Sequence, residues 1–210
     1  MKLVVFGANG KTGLLVVEQA LSAGHSVTAY IRTPGTFKLE HPNLQVVVGK
    51  LEEVDKMKRV LSGADACIST LGGGSLSKHN QEVIDGIDSI VSIMESEGVP
   101  RFIYMSSIGT GESRYYMPQP FRFFIVDVML RIPIADHNAN ENRISKSKLQ
   151  WTVVRPGGLT DGPLTGNLKH GIEKIKMTGN ASISRWNVAA FLVAQLTDTT
   201  YMNAFVWLHE

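Results

Sequence analysis

Residues 3–13 read LVVFGANGKTG, and the organisation of the whole chain follows from this short run. Four apolar residues lead directly into Gly7, Gly10 and Gly13, which are spaced three positions apart. In a strand that turns into a helix, the first glycine permits a tight turn, the second lets a ligand approach the backbone, and the third lets the helix pack closely. The N–H groups and dipole at the start of that helix favour a diphosphate, so the motif predicts a dinucleotide-binding site.

Strand-like runs recur beyond this motif. Most are almost continuously apolar, which is typical of strands covered on both faces in a parallel sheet. The predicted strands are 2–6, 26–31, 44–48, 64–70, 101–106, 151–154 and 204–208, and the predicted helices between them are 12–23, 52–61, 80–97, 135–147 and 185–197. This alternation predicts an α/β fold of the Rossmann-like class, a doubly wound parallel sheet with helices on both faces.

The composition limits the possible classes of protein. With 210 residues, 43% of them hydrophobic and 19% charged, the chain has ample material for a core and fits one domain, residues 1–210. A net charge of +2 with no long block of one sign argues against a nucleic-acid partner. The longest apolar run, 123–130, is interrupted by Asp127 and is too short for a membrane span. One cysteine, Cys67, indicates a reducing compartment, so we expect a cytoplasmic protein.

Residues 109–134 interrupt the alternation of strands and helices. The segment contains three prolines, at 118, 120 and 133, and the aromatic residues Tyr115, Tyr116, Phe121, Phe123 and Phe124. It is too apolar for a solvated linker. Two interpretations remain open at this stage: a local packing excursion, or an irregular segment that forms the wall or lid of a substrate pocket.

The end of the second predicted strand indicates which dinucleotide binds. Proteins that bind NAD carry an acidic residue about 20 positions after the glycines, where it holds the ribose 2′-hydroxyl. This chain reads AYIRT at 29–33 and has no acid there. Arg32 can hold a 2′-phosphate in a forked contact and Thr33 can add a hydroxyl, although an arginine that merely ends a strand at the surface is the alternative. We therefore predict NADP(H) as the cofactor.

These motifs together resemble the NAD(P)H-binding, NmrA-like group of atypical short-chain dehydrogenases/reductases. The resemblance covers nearly the whole chain and is carried by GANGKTG at 7–13, VVVG at 46–49, the serine pair at 106–107, ADHNANENRI at 135–144 and WTVVRPGGLTDGPLTG at 151–166. It implies a strand order of 3-2-1-4-5-6-7 and a cofactor laid across the carboxyl ends of the strands. In relatives an aspartate often follows the glycine that closes the third strand, whereas Lys50 stands there in this chain, so only a backbone contact to the adenine is expected.

The glycine motif, the second strand and the resemblance together predict the cofactor contacts. Thr12 can add a hydroxyl to the phosphate site, and Lys11 either lies near the phosphates or has no role there. The predicted cofactor-binding residues are Gly7, Asn9, Gly10, Lys11, Thr12, Gly13, Arg32, Thr33, Lys50, Leu51, Thr70, Leu71, Gly72, Gly73, Ser106, Pro156, Gly157 and Gly158.

The predicted chemistry departs from the usual pattern of short-chain dehydrogenases. Those enzymes use a Tyr-x-x-x-Lys pair, but counting back from Glu141 places His137 at the lysine position and Pro133 at the tyrosine position. The candidate catalytic residues are therefore Ser106, Ser107 and His137. His137 either supplies a proton near neutral pH or is an ordinary helix histidine, and a serine hydroxyl can orient an acceptor but is a poor acid.

Such a site favours a flat acceptor that is easily reduced, since stacking it against the nicotinamide suffices and water can supply the proton. The sequence thus predicts an NADPH-dependent reductase of a flavin or another flat conjugated small molecule, such as a tetrapyrrole or a quinone. The alternative is a non-catalytic NmrA-like redox sensor that binds NADP(H). A sugar-nucleotide epimerase is disfavoured because it needs the tyrosine. The six histidines show no metal-ligand spacing, so we expect no metal, and the predicted assembly is a monomer or small homo-oligomer.

Overall fold

The computed structural model of the chain describes residues 1–72, 75–177 and 181–210. The strands are β1 (Lys2–Phe6), β2 (Ser26–Ile31), β3 (Leu44–Val48), β4 (Ala66–Ser69), β5 (Arg101–Met105), β6 (Gln150–Pro156), β7 (Gly158–Thr160), β8 (Lys169–Gly171), β9 (Ser182–Ser184) and β10 (Ala204–His209). The α-helices are α1 (Lys11–Ser22), α2 (Val54–Leu61), α3 (Gln81–Glu97), α4 (Gln119–Phe121), α5 (Arg131–Ser145) and α6 (Arg185–Ala194), with a 3-10 helix at Gly111–Tyr116 and a π-helix at Arg122–Met129.

The main sheet of the described residues has the strand order β3-β2-β1-β4-β5-β6-β10-β8. All neighbours in it are parallel except β8, which pairs antiparallel with β10 at the edge. The predicted order 3-2-1-4-5-6-7 is confirmed, with β10 as the predicted seventh strand. The edge strand β8 and a separate parallel pair, β7 with β9, are additions that the sequence did not predict.

Helices cover both faces of the sheet, and the side chains of β1 pack against both layers. Its residues alternate between two hydrophobic clusters: Leu3 and Val5 belong to one, and Val4 and Phe6 belong to the other. The first cluster includes apolar residues of α1 and α6, and the second includes apolar residues of α2, α3 and α5. Two-sided burial explains why the strand sequences are continuously apolar rather than alternating.

The helix ends follow the local signals in the sequence. Helix α1 ends at Ser22, and Gly24 follows it with φ +81°. The Gly24 N–H donates to the carbonyl oxygen of Leu21 at 2.9 Å. Gly98 caps α3 in the left-handed conformation. Ser184 is the N-cap of α6, as predicted, and its hydroxyl oxygen accepts the Asn187 N–H at 3.1 Å.

The segment 109–134 is largely helical: the 3-10 helix, α4 and the π-helix follow one another before α5 begins. Its buried side chains, which include Tyr116, Met117 and Val126, form part of a third hydrophobic cluster. Helix α5 starts at residue 131, earlier than the predicted 135, because Pro133 lies in the first turn of the helix, where its missing N–H costs no hydrogen bond. Among the described residues, no helix is long and apolar enough to cross a membrane.

Candidate functional site

The glycine-rich turn lies at the carboxyl end of β1, beside the chain that leaves β4. Gly7 has φ +77°, a conformation that favours glycine, and its carbonyl oxygen accepts the Gly10 N–H at 2.9 Å. A Cβ added at Gly13 would clash with that same carbonyl oxygen, so α1 packs against the turn as closely as the backbone allows. The Thr70 hydroxyl donates to the Gly7 carbonyl oxygen at 3.2 Å and joins the two loops. The tight turn at Gly7 and the close helix packing at Gly13 agree with the geometry expected from the motif, and their contact with a cofactor stays a prediction.

A first cavity, of about 440 Å³, opens between this turn and the ends of β2 and β3. It is lined by the predicted cofactor residues Gly7, Asn9, Gly10, Arg32, Thr33, Lys50, Leu51, Thr70, Leu71 and Gly72. The Arg32 side chain is 73% exposed, and its Nη1 lies 3.6 Å from the carboxylate of Glu82, which also lines the cavity. The Tyr30 hydroxyl donates to the Lys50 carbonyl oxygen at 2.9 Å and fixes that loop.

A second cavity, of about 380 Å³, continues the first across the ends of β1, β4, β5 and β6. The two cavities share Gly10, Thr70 and Gly72, so together they form one cleft along the carboxyl ends of the strands. Of the remaining predicted residues, this second cavity is lined by Lys11, Thr12, Gly13, Ser106, Ser107, His137, Pro156 and Gly157. Gly73 lies outside the described residues.

A third cavity, of about 330 Å³, adjoins the second and shares Ser107, Leu130, Gly157, Leu159 and Arg185 with it. Gly158, which does not line the second cavity, lines this one. The outer wall of the third cavity comes from the segment 109–134 and consists of the apolar side chains of Met117, Ile125, Val126 and Leu130. The cleft therefore ends in an apolar chamber.

His137 is buried beside Gly72 and belongs to a buried hydrogen-bond network. Its Nδ1 lies 2.8 Å from the Tyr104 hydroxyl oxygen, which accepts a hydrogen bond from Asn140 Nδ2 at 2.9 Å. Burial lowers the pKa of His137, although the charges of Glu141 and Asp136 oppose the shift. Burial also raises the pKa of Tyr104, so the tyrosine keeps its proton.

The network determines the tautomer of the neutral imidazole. The Tyr104 oxygen accepts from Asn140 Nδ2, and among the described contacts the only acceptor for its own O–H is Nδ1 of His137, so the O–H donates to Nδ1 and the ring proton is on Nε2. A Cβ built at Gly72 would lie 3.1 Å from that Nε2, which places the nitrogen against the glycine loop of the cleft. His137 therefore presents an N–H donor to the site, and only a glycine at position 72 leaves room for the ring.

Ser106 belongs to a second buried network. Its hydroxyl donates to Oε1 of Glu141 at 2.6 Å, and Glu141 also receives two hydrogen bonds from Arg155, at 3.0 and 2.8 Å. Arg155 reaches Glu112 at 2.7 Å and so ties the segment 109–134 to β6. Burial opposes the charge of Arg155, but the bonds and charges of Glu141 and Glu112 outweigh it and raise its pKa. The Ser107 hydroxyl, in contrast, donates only to the neighbouring Ile108 carbonyl oxygen among its described contacts, at 3.1 Å.

Tyr104, Asn140 and the role of Glu141 are not predicted from the sequence motifs. Asn140 and Glu141 follow His137 by three and four positions, which places all three on one face of α5. Tyr104 precedes Ser106 by two positions in the predicted strand 101–106, in which alternate residues share a face. These two spacings are the features of the sequence from which the contacts could have been inferred.

Comparisons of sequence identify the relatives of the chain. A family model described as NAD(P)H-binding matches residues 7–199. The chain is 33% identical over 205 residues to an uncharacterized chloroplastic protein of Arabidopsis thaliana, covering 93% of this chain and 71% of that protein. It is 27% identical over 209 residues to an uncharacterized sugar epimerase of Bacillus subtilis, covering 97% and 91%.

Solved structures show the same fold. The anaerobilin reductase ChuY of Escherichia coli O157:H7 superposes with a TM-score of 0.83 at 24% identity, covering 100% of this chain and 97% of that one. A short-chain dehydrogenase/reductase of Veillonella parvula in complex with NADP gives a TM-score of 0.80 at 17% identity, covering 100% and 94%. The family match over most of the length is the stronger finding: this chain belongs to the NAD(P)H-binding family, and the cofactor class predicted from its first turn is confirmed.

Proposed function

We propose that the chain is an NADPH-dependent reductase of a flat conjugated small molecule, a flavin or a related acceptor such as a tetrapyrrole or quinone. The observation that carries the proposal is the junction of the second and third cavities, where Ser107, Gly157 and Leu159 line both. An acceptor ring in the apolar chamber would there meet the end of the cofactor cleft. The fold shared with an anaerobilin reductase supports a conjugated acceptor.

The residues of the turn fit the cofactor. A Cβ built at Gly10 would meet only the Gly7 carbonyl oxygen, at 3.2 Å, among the described atoms within 4 Å, so the other side of this residue is open to a diphosphate. Helix α1 begins at Lys11 and has no acidic residue in its first turn, so nothing on that turn repels an anion. Gly10, Thr12 and Gly13 would hold the diphosphate, and Arg32 with Thr33 would hold the 2′-phosphate that distinguishes NADPH from NADH.

The side chains of the site position the reactants rather than transfer protons. NADPH, when bound, supplies the hydride. Ser107, which lies where the second and third cavities meet, orients the acceptor. His137, which lines the second cavity, donates a hydrogen bond from Nε2 to a bound reactant. A neutral imidazole is a poor acid, and reprotonation through Tyr104 would leave a buried phenolate, which its raised pKa disfavours. We assign Ser106 a positioning role because its hydroxyl is already bonded to Glu141.

Replacing His137 by alanine should slow flavin reduction by less than about tenfold, below the 10²–10⁴-fold typical for loss of a general acid. Because burial lowers the pKa of His137, the imidazole is neutral through pH 7 and gains a proton only below the ordinary histidine pKa of about 6.5. The pH profile of kcat/KM should therefore show no inflection near that ordinary pKa that is lost in H137A, since any inflection from the phosphates of FMN and NADPH would remain in the variant. Steady-state kinetics with FMN across pH, for H137A and for H41A as an exposed-histidine control, measure both effects.

A loss of several thousandfold in H137A with unchanged NADPH affinity would contradict this assignment. So would a pH inflection at the ordinary histidine value that disappears in the variant. Either result would identify a true catalytic acid at His137.

A non-catalytic NADP(H)-binding sensor is the alternative function. It is favoured by the engagement of the Ser106 hydroxyl and of His137 Nδ1 within the protein. An epimerase, the description given to the Bacillus subtilis relative, lacks support here because Pro133 and His137 occupy the positions of the tyrosine and lysine. NADPH oxidation against a panel of flavins, quinones and tetrapyrroles separates reductase from sensor. The cytoplasmic location, the single-domain organisation and the oligomeric state stay predictions.

A further inference from the structure

We propose that the acceptor carries an anionic group, a carboxylate or a phosphate, and that Arg185 binds it. This inference rests on the proposed function, because it assigns a substrate class to the third cavity. Arg185 is the first residue of α6 and lines both the second and the third cavities. The acceptor would therefore combine a flat apolar body with a single negative group close to the nicotinamide end of the cleft.

The position of Arg185 is the first step of the argument. Its side chain is 20% exposed, and among the described residues that line the third cavity it is the one charged group. The rest of that lining is apolar, glycine or the Ser107 hydroxyl. Placing a guanidinium against apolar walls requires an anion to accompany it, because an unpaired charge away from water is unfavourable.

The anion now present is the carboxylate of Asp161, and it is shared. Arg185 Nη1 donates to Asp161 Oδ1 at 2.5 Å, and Lys11 Nζ donates to the other carboxylate oxygen at 2.9 Å. The bond from Lys11, with the nearby charge of Arg185, lowers the pKa of Asp161, so the carboxylate is charged. Asp161 is therefore shared between two cations and balances Arg185 only in part.

A second oxyanion can join Arg185 without removing Asp161. The contact with Asp161 uses Nη1, whereas a guanidinium has five N–H donors arranged as a fork that matches carboxylate and phosphate groups. The Asp161 side chain is 65% exposed, so it also yields readily to a competing anion. Asp161 is then a competitor for Arg185, and removing its charge should favour the acceptor.

Riboflavin and FMN test this inference because they share one ring system and differ by a phosphate. With NADP⁺ saturating, dissociation constants of both flavins are measured by fluorescence quenching, and kcat/KM for both is measured with NADPH. We expect wild-type protein to favour FMN by roughly tenfold, the worth of one charge-assisted contact. Arg185→Gln should remove that preference, Asp161→Asn should increase it, and Arg59→Gln, an exposed control on α2, should leave it unchanged.

A second arm distinguishes the two sources of the anion. A linear tetrapyrrole with free carboxylates is compared with its methyl ester in the same proteins. A phosphate site favours FMN alone, whereas a carboxylate site also discriminates against the ester, and either result supports the inference when Arg185→Gln abolishes the discrimination. The double variant Asp161→Asn with Arg185→Gln excludes Lys11 as the binding group, since a preference for FMN that persisted there would overturn the assignment to Arg185.

The outcomes separate this inference from the proposed function. Equal binding of FMN and riboflavin by wild-type protein overturns the anion site whether or not flavins are reduced. Reduction of both flavins with equal kcat/KM overturns it while the reductase stands. An FMN preference that depends on Arg185, without NADPH oxidation, supports the anion site and overturns the reductase. Failure of both flavins and both tetrapyrroles to bind overturns both proposals.

Discussion

Replacing Gly10 by valine should weaken NADPH binding by more than about a hundredfold while the fold is retained, since a branched side chain would fill the space required by the diphosphate. The backbone at Gly10 is extended, with φ −74° and ψ 159°, a conformation that valine adopts readily. A Cβ there would meet the Gly7 carbonyl oxygen at 3.2 Å, which requires only a small local adjustment. The effect should therefore fall on the ligand rather than on stability. Equilibrium titration with NADPH, together with thermal unfolding, measures both.

Gly162→Val is the matched control for this substitution. Its added Cβ would lie 3.6 Å from its nearest described neighbours, an ordinary contact, so the variant introduces valine without obstructing the glycine turn. It should bind NADPH as the unmutated protein does. If G10V bound NADPH with the original affinity, the turn would not be the phosphate site.

Removing the Arg32 side chain should reduce the preference for NADPH over NADH by roughly 1.5–3 kcal/mol, or about tenfold to a hundredfold in relative affinity. The guanidinium lines the first cavity and is largely exposed, which leaves it available to a 2′-phosphate. Because the contact is exposed to solvent, the preference should also fall as salt is added. Titrations of both cofactors with wild-type and R32A protein give the result directly.

Glu82 supplies an opposing variant. Its carboxylate lies 3.6 Å from Arg32 and lines the same cavity, where it competes with a phosphate for the guanidinium. Glu82→Gln should therefore strengthen NADPH binding, the reverse of R32A. Equal titration curves for NADPH and NADH with the unmutated protein would refute the assignment of Arg32.

The elements that could be predicted from sequence are those with strong local signals. β1 and α1 combine apolar periodicity with a glycine turn, and the predicted N-cap Ser184 begins α6 in the structure. The strands β7, β8 and β9 were missed because each has only three residues and is defined by its partner strand rather than by its own pattern. The π-helix in the segment 109–134 likewise depends on tertiary packing, for which the sequence offers no periodic signal.

The candidate site was predictable as a set of positions but not as a set of contacts. The glycine turn and Arg32 could be placed because the motif fixes their relation to the sheet. Tyr104 looks like an ordinary core residue of a buried strand, and its bond to His137 joins positions 33 residues apart. The sequence leaves open whether His137 supplies a proton, and this bond favours a neutral hydrogen-bond donor, which sequence spacing alone does not reveal.

In the proposed reductase, hydride passes directly from NADPH to an acceptor held in the third cavity. Mixing the protein with NADPH and FMN in the absence of oxygen, using NADPH with and without deuterium at the transferred position, tests it most directly. We expect equal amounts of NADP⁺ and reduced FMN and a slower reaction with the deuterated cofactor. Tight NADPH binding without oxidation by FMN, riboflavin, a quinone or a tetrapyrrole would refute the proposed reductase and favour the non-catalytic sensor.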